Sequence, residues 1–94
     1  DYQDPLAPAV LRAVDRTVRA GHTGGAWVGM CGEMAGDPEL TELLVGLGLD
    51  ELSMSAVTVP DVKTAIREID TEAAEDLAES VLAVDTLVDV QELL

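Results

Sequence analysis

The sequence predicts an incomplete α/β fold that is built from parallel βα units. A short apolar run at 26–31 and the short segment 51–54 indicate strands, and amphipathic segments before, between and after them indicate helices. Alternation of strands with helices predicts a parallel sheet. Two strands are too few for a stable parallel sheet, because such strands need neighbours in the sheet and helices over both faces. The predicted order is helix, strand, helix, strand and three helices.

The first helix is predicted over residues 6–20. Its apolar residues recur at spacings of three and four, which indicates one buried face: Ala7, Val10, Leu11, Val14 and Val18. Gly21 is expected to end this helix, and the segment GHTGG is expected to form a flexible link. The following run AWVGMC lacks polar alternation and lies between glycines, which predicts a strand over 26–31 that is buried on both faces.

The second helix is predicted to begin at Asp37 and Pro38. The Asp side chain caps free amide groups, and Pro fits the first turn, where no hydrogen bond is lost. The helix continues through four leucines and ends at Gly48: Leu40, Leu43, Leu44 and Leu47. The segment ELSM at 51–54 is the second predicted strand.

Three helices are predicted after the second strand. Thr58 and Asp61 flank Pro60 and indicate a helix start, with an inner face formed by Val62, Ala65, Ile66 and Ile69. Another helix is expected over 70–79, with Ala73, Ala74, Leu77 and Ala78, and a last short one is expected after Asp85. Nine acidic residues and no basic residue follow Arg67, so we expect this tail to be a polar-faced cap.

Composition narrows the class of protein. A chain of 94 residues allows one domain at most. A single cysteine excludes an internal disulfide framework and fits a reducing compartment. The sequence shows neither a signal peptide nor a long apolar run, so we expect a cytoplasmic protein without a membrane partner.

The charge of the chain is strongly negative, at -14, from 19 acidic and 5 basic residues. Nucleic acid is not an expected partner, because a phosphate backbone is bound by clusters of Lys and Arg. The acidic residues are spread along the chain, unlike those of a disordered acidic arm. We hypothesise a halophilic source, because high salt would screen the self-repulsion of such a chain.

Cys31 is the main candidate for chemistry. A (β/α)8 barrel of about 250 residues is the expected parent of these two units, and its active site lies at the carboxyl ends of the strands. Cys31 closes the first predicted strand, and Gly32 would let a substrate approach the backbone closely. From composition alone, a small buried hydrophobic residue is the favoured interpretation of this cysteine.

Two motifs resemble a known family. The run WVGMCGEMAGDPEL, followed by GLGLDELSMSAVTVP, is similar to the last two βα units of the Enzyme I family of the sugar phosphotransferase system. The upstream DPLAPAVLRAV resembles the helix that precedes them, and the likeness extends over about residues 4–70. Pyruvate phosphate dikinase and phosphoenolpyruvate synthase share this fold and a Cys-Gly pair, but GMCGEMAGD and DELSMSA look most like Enzyme I. The resemblance implies that residues 1–94 are a C-terminal fragment of a phosphoenolpyruvate-binding TIM barrel.

The resemblance also implies an activity for the complete protein. Enzyme I transfers the phosphoryl group of phosphoenolpyruvate to a histidine on another domain and on to HPr, with Mg²⁺ holding the substrate, and releases pyruvate. Carried over, Cys31 is the general acid that protonates the pyruvate enolate, and an ordinary thiol, with a pKa of about 8.5, carries a proton at neutral pH. The residues that bind substrate and metal are expected upstream, so the fragment alone is expected to be inactive and to hold no metal.

Four residues are further candidates for a substrate loop: Gly32, Glu33, Ser53 and Ser55. A solvated surface carboxylate is the simpler interpretation of Glu33, although it is also placed to orient the loop. Ser53 and Ser55 stand where phosphate loops of barrels often lie, but loop-capping hydroxyls are the favoured interpretation. His22 is expected to be exposed in the glycine-rich link and not to be the phosphorylated histidine.

Two alternatives stay open at this point. The first is a fragment of a pyruvate phosphate dikinase or phosphoenolpyruvate synthase, and the second is a non-catalytic acidic interaction module. Open strand edges and uncovered apolar helix faces favour self-association. The resemblance to Enzyme I implies a homodimer through the same domain.

Overall fold

The computed structural model describes Asp4 and residues 6–94. This part of the chain contains seven elements: α1 (Pro8–Thr23), β1 (Gly29–Cys31), α2 (Thr41–Gly46), β2 (Glu51–Ser53), α3 (Val59–Arg67), α4 (Thr71–Leu82) and α5 (Leu87–Leu93). Their order confirms the predicted alternation of helices and strands. Pro5, the second residue of the DPLAPAVLRAV motif, lies outside the described residues.

The two strands form a parallel sheet, as predicted. Its register joins three pairs: Gly29 with Glu51, Met30 with Leu52, and Cys31 with Ser53. Side chains alternate across a strand, so the middle pair lies on one face, where Met30 and Leu52 are half-buried against the core. The first and third pairs lie on the opposite face and are exposed.

The prediction of a strand over 26–31 buried on both faces is wrong. Only Gly29–Cys31 pairs in the sheet, and its residues are exposed, half-buried and exposed in turn. The second strand likewise ends at Ser53, one residue earlier than predicted. An apolar run of this kind is typical of a strand that is covered on both sheet faces. The helices described here cover only the face that contains Met30, so the face that contains Cys31 is exposed.

α1 continues to Thr23, so the prediction that it ends at Gly21 is wrong. A glycine inside a helix costs only about 1 kcal/mol relative to alanine. Its missing side chain is needed here, because a Cβ at Gly21 would lie 2.5 Å from Cγ2 of Val28. Gly24 follows the helix as its C-cap, and Gly25, with a φ of 81°, adopts the left-handed conformation that turns the chain toward β1.

α2 begins at Thr41, later than the predicted start at Asp37. The Asp37 side chain does accept a hydrogen bond, from the N–H of Glu39 at 3.0 Å, but residues 38–40 form a separate turn. Asp37 therefore caps this turn and not the helix. Gly48 follows the end of α2 with a φ of 98°, which agrees with its predicted role in closing the helix.

The three later helices begin in different ways. The predicted helix start at Thr58 is confirmed, because Thr58 is the residue that directly precedes α3, but its hydroxyl donates to the carbonyl of Ser55 at 3.0 Å and does not cap the helix. Asp70 caps α4, because its Oδ1 accepts from a first-turn N–H at 2.9 Å, and this helix extends three residues beyond the predicted end, to Leu82. Thr86 caps α5 with its hydroxyl.

The core lies where α1, α2, α4 and α5 meet. Its buried residues are mostly leucine and valine: Leu11, Leu40, Leu43, Leu44, Leu47, Ala78, Val81 and Val90. Gly46 permits a close α2–α4 crossing, because a Cβ there would overlap the carbonyl of Ala74. Ile66 was predicted on the inner face of α3 but is 45% exposed. It lies in an apolar hollow beside the open edge of β2, where no described element covers it.

Ion pairs link some of the few basic residues to the acidic surface. Arg12 lies 3.1 Å from Asp85, measured from Nη2 to Oδ1, and connects α1 to the segment before α5. Arg19 and Asp15 pair along α1 at 2.9 Å. Exposed pairs of this kind contribute up to about 1 kcal/mol each. In the part of the chain that the structure describes, each helix is too short or too polar to span a bilayer.

Candidate functional site

Cys31 lies at the carboxyl end of β1, and its free thiol is exposed. Its register partner Ser53 lies at the carboxyl end of β2. Because the strands are parallel, both residues lie at the edge formed by the carboxyl ends of the strands, and on the same face of the sheet. Cys31 is therefore not a core residue in this structure, in contrast to the interpretation that composition favours.

A hollow of about 410 Å³ opens beside this edge. Two segments line it, which we name the Cys31 loop (residues 32–36) and the β2–α3 loop (residues 54–58). Its lining residues include all four further candidates and three that the sequence did not single out: Gly32, Glu33, Gly36, Ser53, Met54, Ser55 and Thr58. Cys31 immediately precedes the first segment.

The Cys31 loop is a short turn closed by backbone hydrogen bonds. Gly32 has a φ of 102°, a conformation that favours glycine, and its N–H donates to the carbonyl of Ser53 at 3.3 Å. Gly36 closes the turn by donating to the carbonyls of Glu33, at 3.1 Å, and of Gly32, at 3.3 Å. The conformation of the backbone after Cys31 thus depends on Gly32.

Glu51 lies on the same sheet face as Cys31 and was not among the sequence candidates. Its carboxylate Oε1 accepts a hydrogen bond from Ser53 Oγ at 3.3 Å. Gly29 lies opposite, and a Cβ there would stand 3.3 Å from that of Glu51. The period of two along β2 was the available signal, because it places residues 51 and 53 on one face.

The charge of the residues that line the hollow does not favour an anionic ligand. Within the part of the chain that the structure describes, Glu33 is the one charged residue in its lining, and no basic side chain lines it. An anionic substrate therefore needs positive groups from outside this hollow. Among the described residues, no three His, Cys, Asp or Glu side chains come close enough to hold a metal ion.

His22 lies at the opposite end of the sheet, near the start of the strands. It is exposed, as expected, but it belongs to the last turn of α1 and not to a flexible link. Its Nε2 lies 2.7 Å from Oδ2 of Asp50, which also accepts from the N–H of Val28 at 2.8 Å. The Val28 N–H, and then the His22 ring, lower the pKa of Asp50. This cluster therefore joins α1, β1 and β2.

A family model described as "PEP-utilising enzyme, PEP-binding domain" matches residues 1–71. The chain belongs to this family. The matched part of the PEP-binding domain contains both strands, Cys31 and every residue that lines the hollow. Most of α4 and all of α5 lie beyond it.

Curated relatives of this PEP-binding domain have names that agree with the family. The chain is 67% identical over 94 residues to the phosphoenolpyruvate-protein phosphotransferase of Haloferax volcanii, covering 100% of the chain and 16% of the relative. Identity to the enzyme of the same name from Haemophilus influenzae is 43% over 91 residues, covering 97% and 16%. Identity to the multiphosphoryl transfer protein of Escherichia coli is 48% over 75 residues, covering 80% and 9%. The chain thus spans at most 16% of the length of these relatives, and the predicted resemblance is confirmed.

Proposed function

We propose that this chain is part of a phosphoenolpyruvate-protein phosphotransferase, the Enzyme I of a sugar phosphotransferase system. The observation that carries the proposal is the exposed Cys31 at the carboxyl end of a parallel strand, inside the matched family region. The names of the relatives favour this activity over a dikinase or synthase. They likewise favour an enzyme over a non-catalytic interaction module.

Residues 1–94 would form the last two βα units of a (β/α)8 barrel. Each strand has one long side without a strand partner in the described sheet, and an apolar hollow lies beside each of these open side edges. The hollows have volumes of about 260 Å³ beside β1 and about 330 Å³ beside β2. Strands and helices from the rest of the longer protein would cover these edges, since an open edge favours further pairing. The exposed face with Cys31 would then face the barrel interior.

In this proposal the chemistry of Cys31 is a proton transfer to carbon. Transfer of the phosphoryl group to a protein histidine breaks the bond between phosphorus and the enol oxygen and leaves the enolate of pyruvate. The thiol of Cys31 gives its proton to C3 of the enolate, so that a C–H bond forms and the electron pair of the S–H bond stays on sulfur. Water then returns a proton to the thiolate.

The remaining parts of the reaction belong to other regions of the longer protein. The phosphorylated histidine, the positive groups that bind phosphoenolpyruvate and the ligands of Mg²⁺ would lie outside this chain, and HPr would receive the phosphoryl group. Ser55 and Glu33 would form part of the rim beside the substrate. Cytoplasmic location, a halophilic source and a homodimer complete the proposal. A monomer in sedimentation of the full-length protein would contradict the dimer.

Replacement of Cys31 in the full-length protein tests the assignment. Cys31→Ala and Cys31→Ser should lower pyruvate release by about 10²-fold or more, the usual contribution of a positioned general acid. Ser80→Ala, on the exposed side of α4, is the matched control and should keep the full rate. Undiminished pyruvate release by both Cys31 variants would refute the role of the thiol. The isolated 94-residue chain should not turn over phosphoenolpyruvate, and phosphoryl transfer by it would also contradict the proposal.

A further inference from the structure

The two loops that line the hollow touch each other at Gly36 and Thr58. A Cβ built on Gly36 would lie 3.0 Å from Oγ1 of Thr58 and 3.2 Å from Cβ of Met54. Gly36 is not among the glycines with a positive φ, so its backbone conformation is open to other residues. The absence of a side chain therefore matters here for space: it lets the loops approach within contact distance.

Each loop is held as a unit by its own hydrogen bonds. The N–H of Gly36 donates to carbonyls at the start of the Cys31 loop. In the β2–α3 loop, the N–H and the hydroxyl of Thr58 both donate to the carbonyl of Ser55, at 3.1 and 3.0 Å. A displacement at the Gly36–Thr58 contact is therefore transmitted along each loop.

The Cys31 loop is also joined to the end of β2, directly before the β2–α3 loop, where the N–H of Gly32 donates to the carbonyl of Ser53 at 3.3 Å. The width of the hollow is thus set at two points, one beside the thiol of Cys31 and one at the loop tips. Proton transfer requires reacting atoms about 3–3.5 Å apart, and a displacement of 1 Å can lower the rate about 10²-fold. The contact at the tips is the point that a small substitution can change.

We propose that Gly36 and Thr58 are positioning residues, whose contact sets the separation of the two loops and thereby the placement of the Cys31 thiol against the enolate carbon. The inference rests on the proposed function. Neither residue touches the reacting atoms in it. Their effect is on the alignment of the thiol and not on the affinity for phosphoenolpyruvate.

Paired substitutions in the full-length protein test this contact. Gly36→Ala crowds it, Thr58→Ala opens it, and the double variant exchanges one methyl-sized group for another across it. We expect Gly36→Ala to lower kcat for pyruvate release about 10-fold or more, with KM changed less than about 2-fold. Thr58→Ala should lower kcat less than Gly36→Ala does. The double variant should regain most of the wild-type rate. Gly24→Ala is the control, because a Cβ there meets its nearest atoms at 3.6 Å.

The facial selectivity of protonation is a readout that loss of stability alone would not change. A 3-methyl analogue of phosphoenolpyruvate, turned over in D₂O, places deuterium on a stereogenic C3. A correctly aligned thiol gives one enantiomer, and we expect Gly36→Ala to give a mixture and the double variant to restore selectivity. If Gly36→Ala does not fold, reduced selectivity in Thr58→Ala tests the same point.

The outcomes separate this inference from the proposed function. Full pyruvate release by the Cys31 variants overturns the proposed role of the Cys31 thiol, on which this inference rests. Suppose that the Cys31 variants lose activity as expected but Gly36→Ala keeps the wild-type rate and selectivity. That result overturns only the positioning role. If Gly36→Ala does not fold, the same result in Thr58→Ala overturns it. Failure of the double variant to recover overturns it too, because the damage of Gly36→Ala would then act through Cβ of Met54, 3.2 Å from the new Cβ, and not through Thr58.

Discussion

The imidazole of His22 lies 2.7 Å from the carboxylate of Asp50, between Nε2 and Oδ2, and joins the end of α1 to the start of β2. The same oxygen accepts from the N–H of Val28 at 2.8 Å. A carboxylate is an acceptor only, so the imidazole donates in this contact when Asp50 is ionised. Asp50 thus holds three segments together at the end of the sheet opposite Cys31.

Asp50→Asn should destabilise the chain in a pH-dependent way. The Val28 N–H and then His22 lower the pKa of Asp50 below its ordinary 3.8, so the unfolded state binds more protons in acid. The stabilising contribution of the Asp50 carboxylate is fully present above the pKa that Asp50 has in the unfolded state. It is lost as pH falls through the lower pKa of Asp50 in the folded state. The Tm of the variant should therefore lie below that of the wild type above about pH 5 and converge with it in stronger acid. Asp76→Asn, at an exposed position of α4, is the control, and a Tm difference independent of pH would contradict this account.

Gly46→Ala should destabilise the chain although alanine favours helices. The substitution would gain up to about 1 kcal/mol of helix propensity. The new Cβ would overlap the carbonyl of Ala74 on α4, and overpacking of this kind costs about 1–3 kcal/mol. Urea unfolding should show a net loss of unfolding free energy. Gly24→Ala, which makes only ordinary contacts at a φ of -81°, should be neutral or slightly stabilising, and equal effects of the two changes would contradict the packing argument.

Asp70→Ala should lower the unfolding free energy by about 1 kcal/mol. The carboxylate of Asp70 accepts from the N–H of Glu72 at 2.9 Å and of Ala73 at 3.4 Å, and alanine would leave these first-turn donors to water. Asp70→Asn keeps an acceptor oxygen and should retain most of the stability. Urea titrations of both variants measure the difference. Equal losses would show that charge, and not the cap, supplies the stabilisation.

The thermal stability of the chain should rise as KCl is added from low to molar concentration. At 1 M salt the Debye length is about 3 Å, against about 30 Å at 0.01 M, so the repulsion that arises from a charge of -14 is screened. The exposed ion pairs lose strength as well, but each contributes at most about 1 kcal/mol. A triple variant with Gln at Glu72, Glu75 and Glu79 should show a weaker salt dependence. A Tm that stays constant or falls with KCl would contradict the halophilic interpretation.

Several features of the site could be predicted from the sequence because they depend on local pattern. The glycines around AWVGMC and the polar residues after ELSM place Cys31 and Ser53 at strand ends, and the parallel pairing of the strands puts both on one edge. Gly32, Glu33 and Ser55 follow these ends directly, so their presence in one hollow is a consequence of chain order. Whether Cys31 protonates an enolate stays a prediction.

Other features could not be predicted, because they depend on contacts that the local sequence pattern does not show. Gly21 has the local character of a helix end, but the position of Val28 keeps it inside α1. Thr58 has the residue type of a helix cap, but its hydroxyl donates to the carbonyl of Ser55 and does not cap α3. Gly36 has no conformational signal at all, and its proximity to Thr58 appears only once both loops are folded.

The sequence by itself determined the order of the elements, the apolar faces of the helices and the placement of Cys31 at the end of a strand, because periodicity and capping act over a few neighbouring residues. Only the tertiary structure decided which sheet face is open, how Asp50 joins His22 and Val28, and how close Gly36 comes to Thr58. Those relationships depend on packing between segments more than twenty residues apart, where a single methyl group decides whether two elements meet.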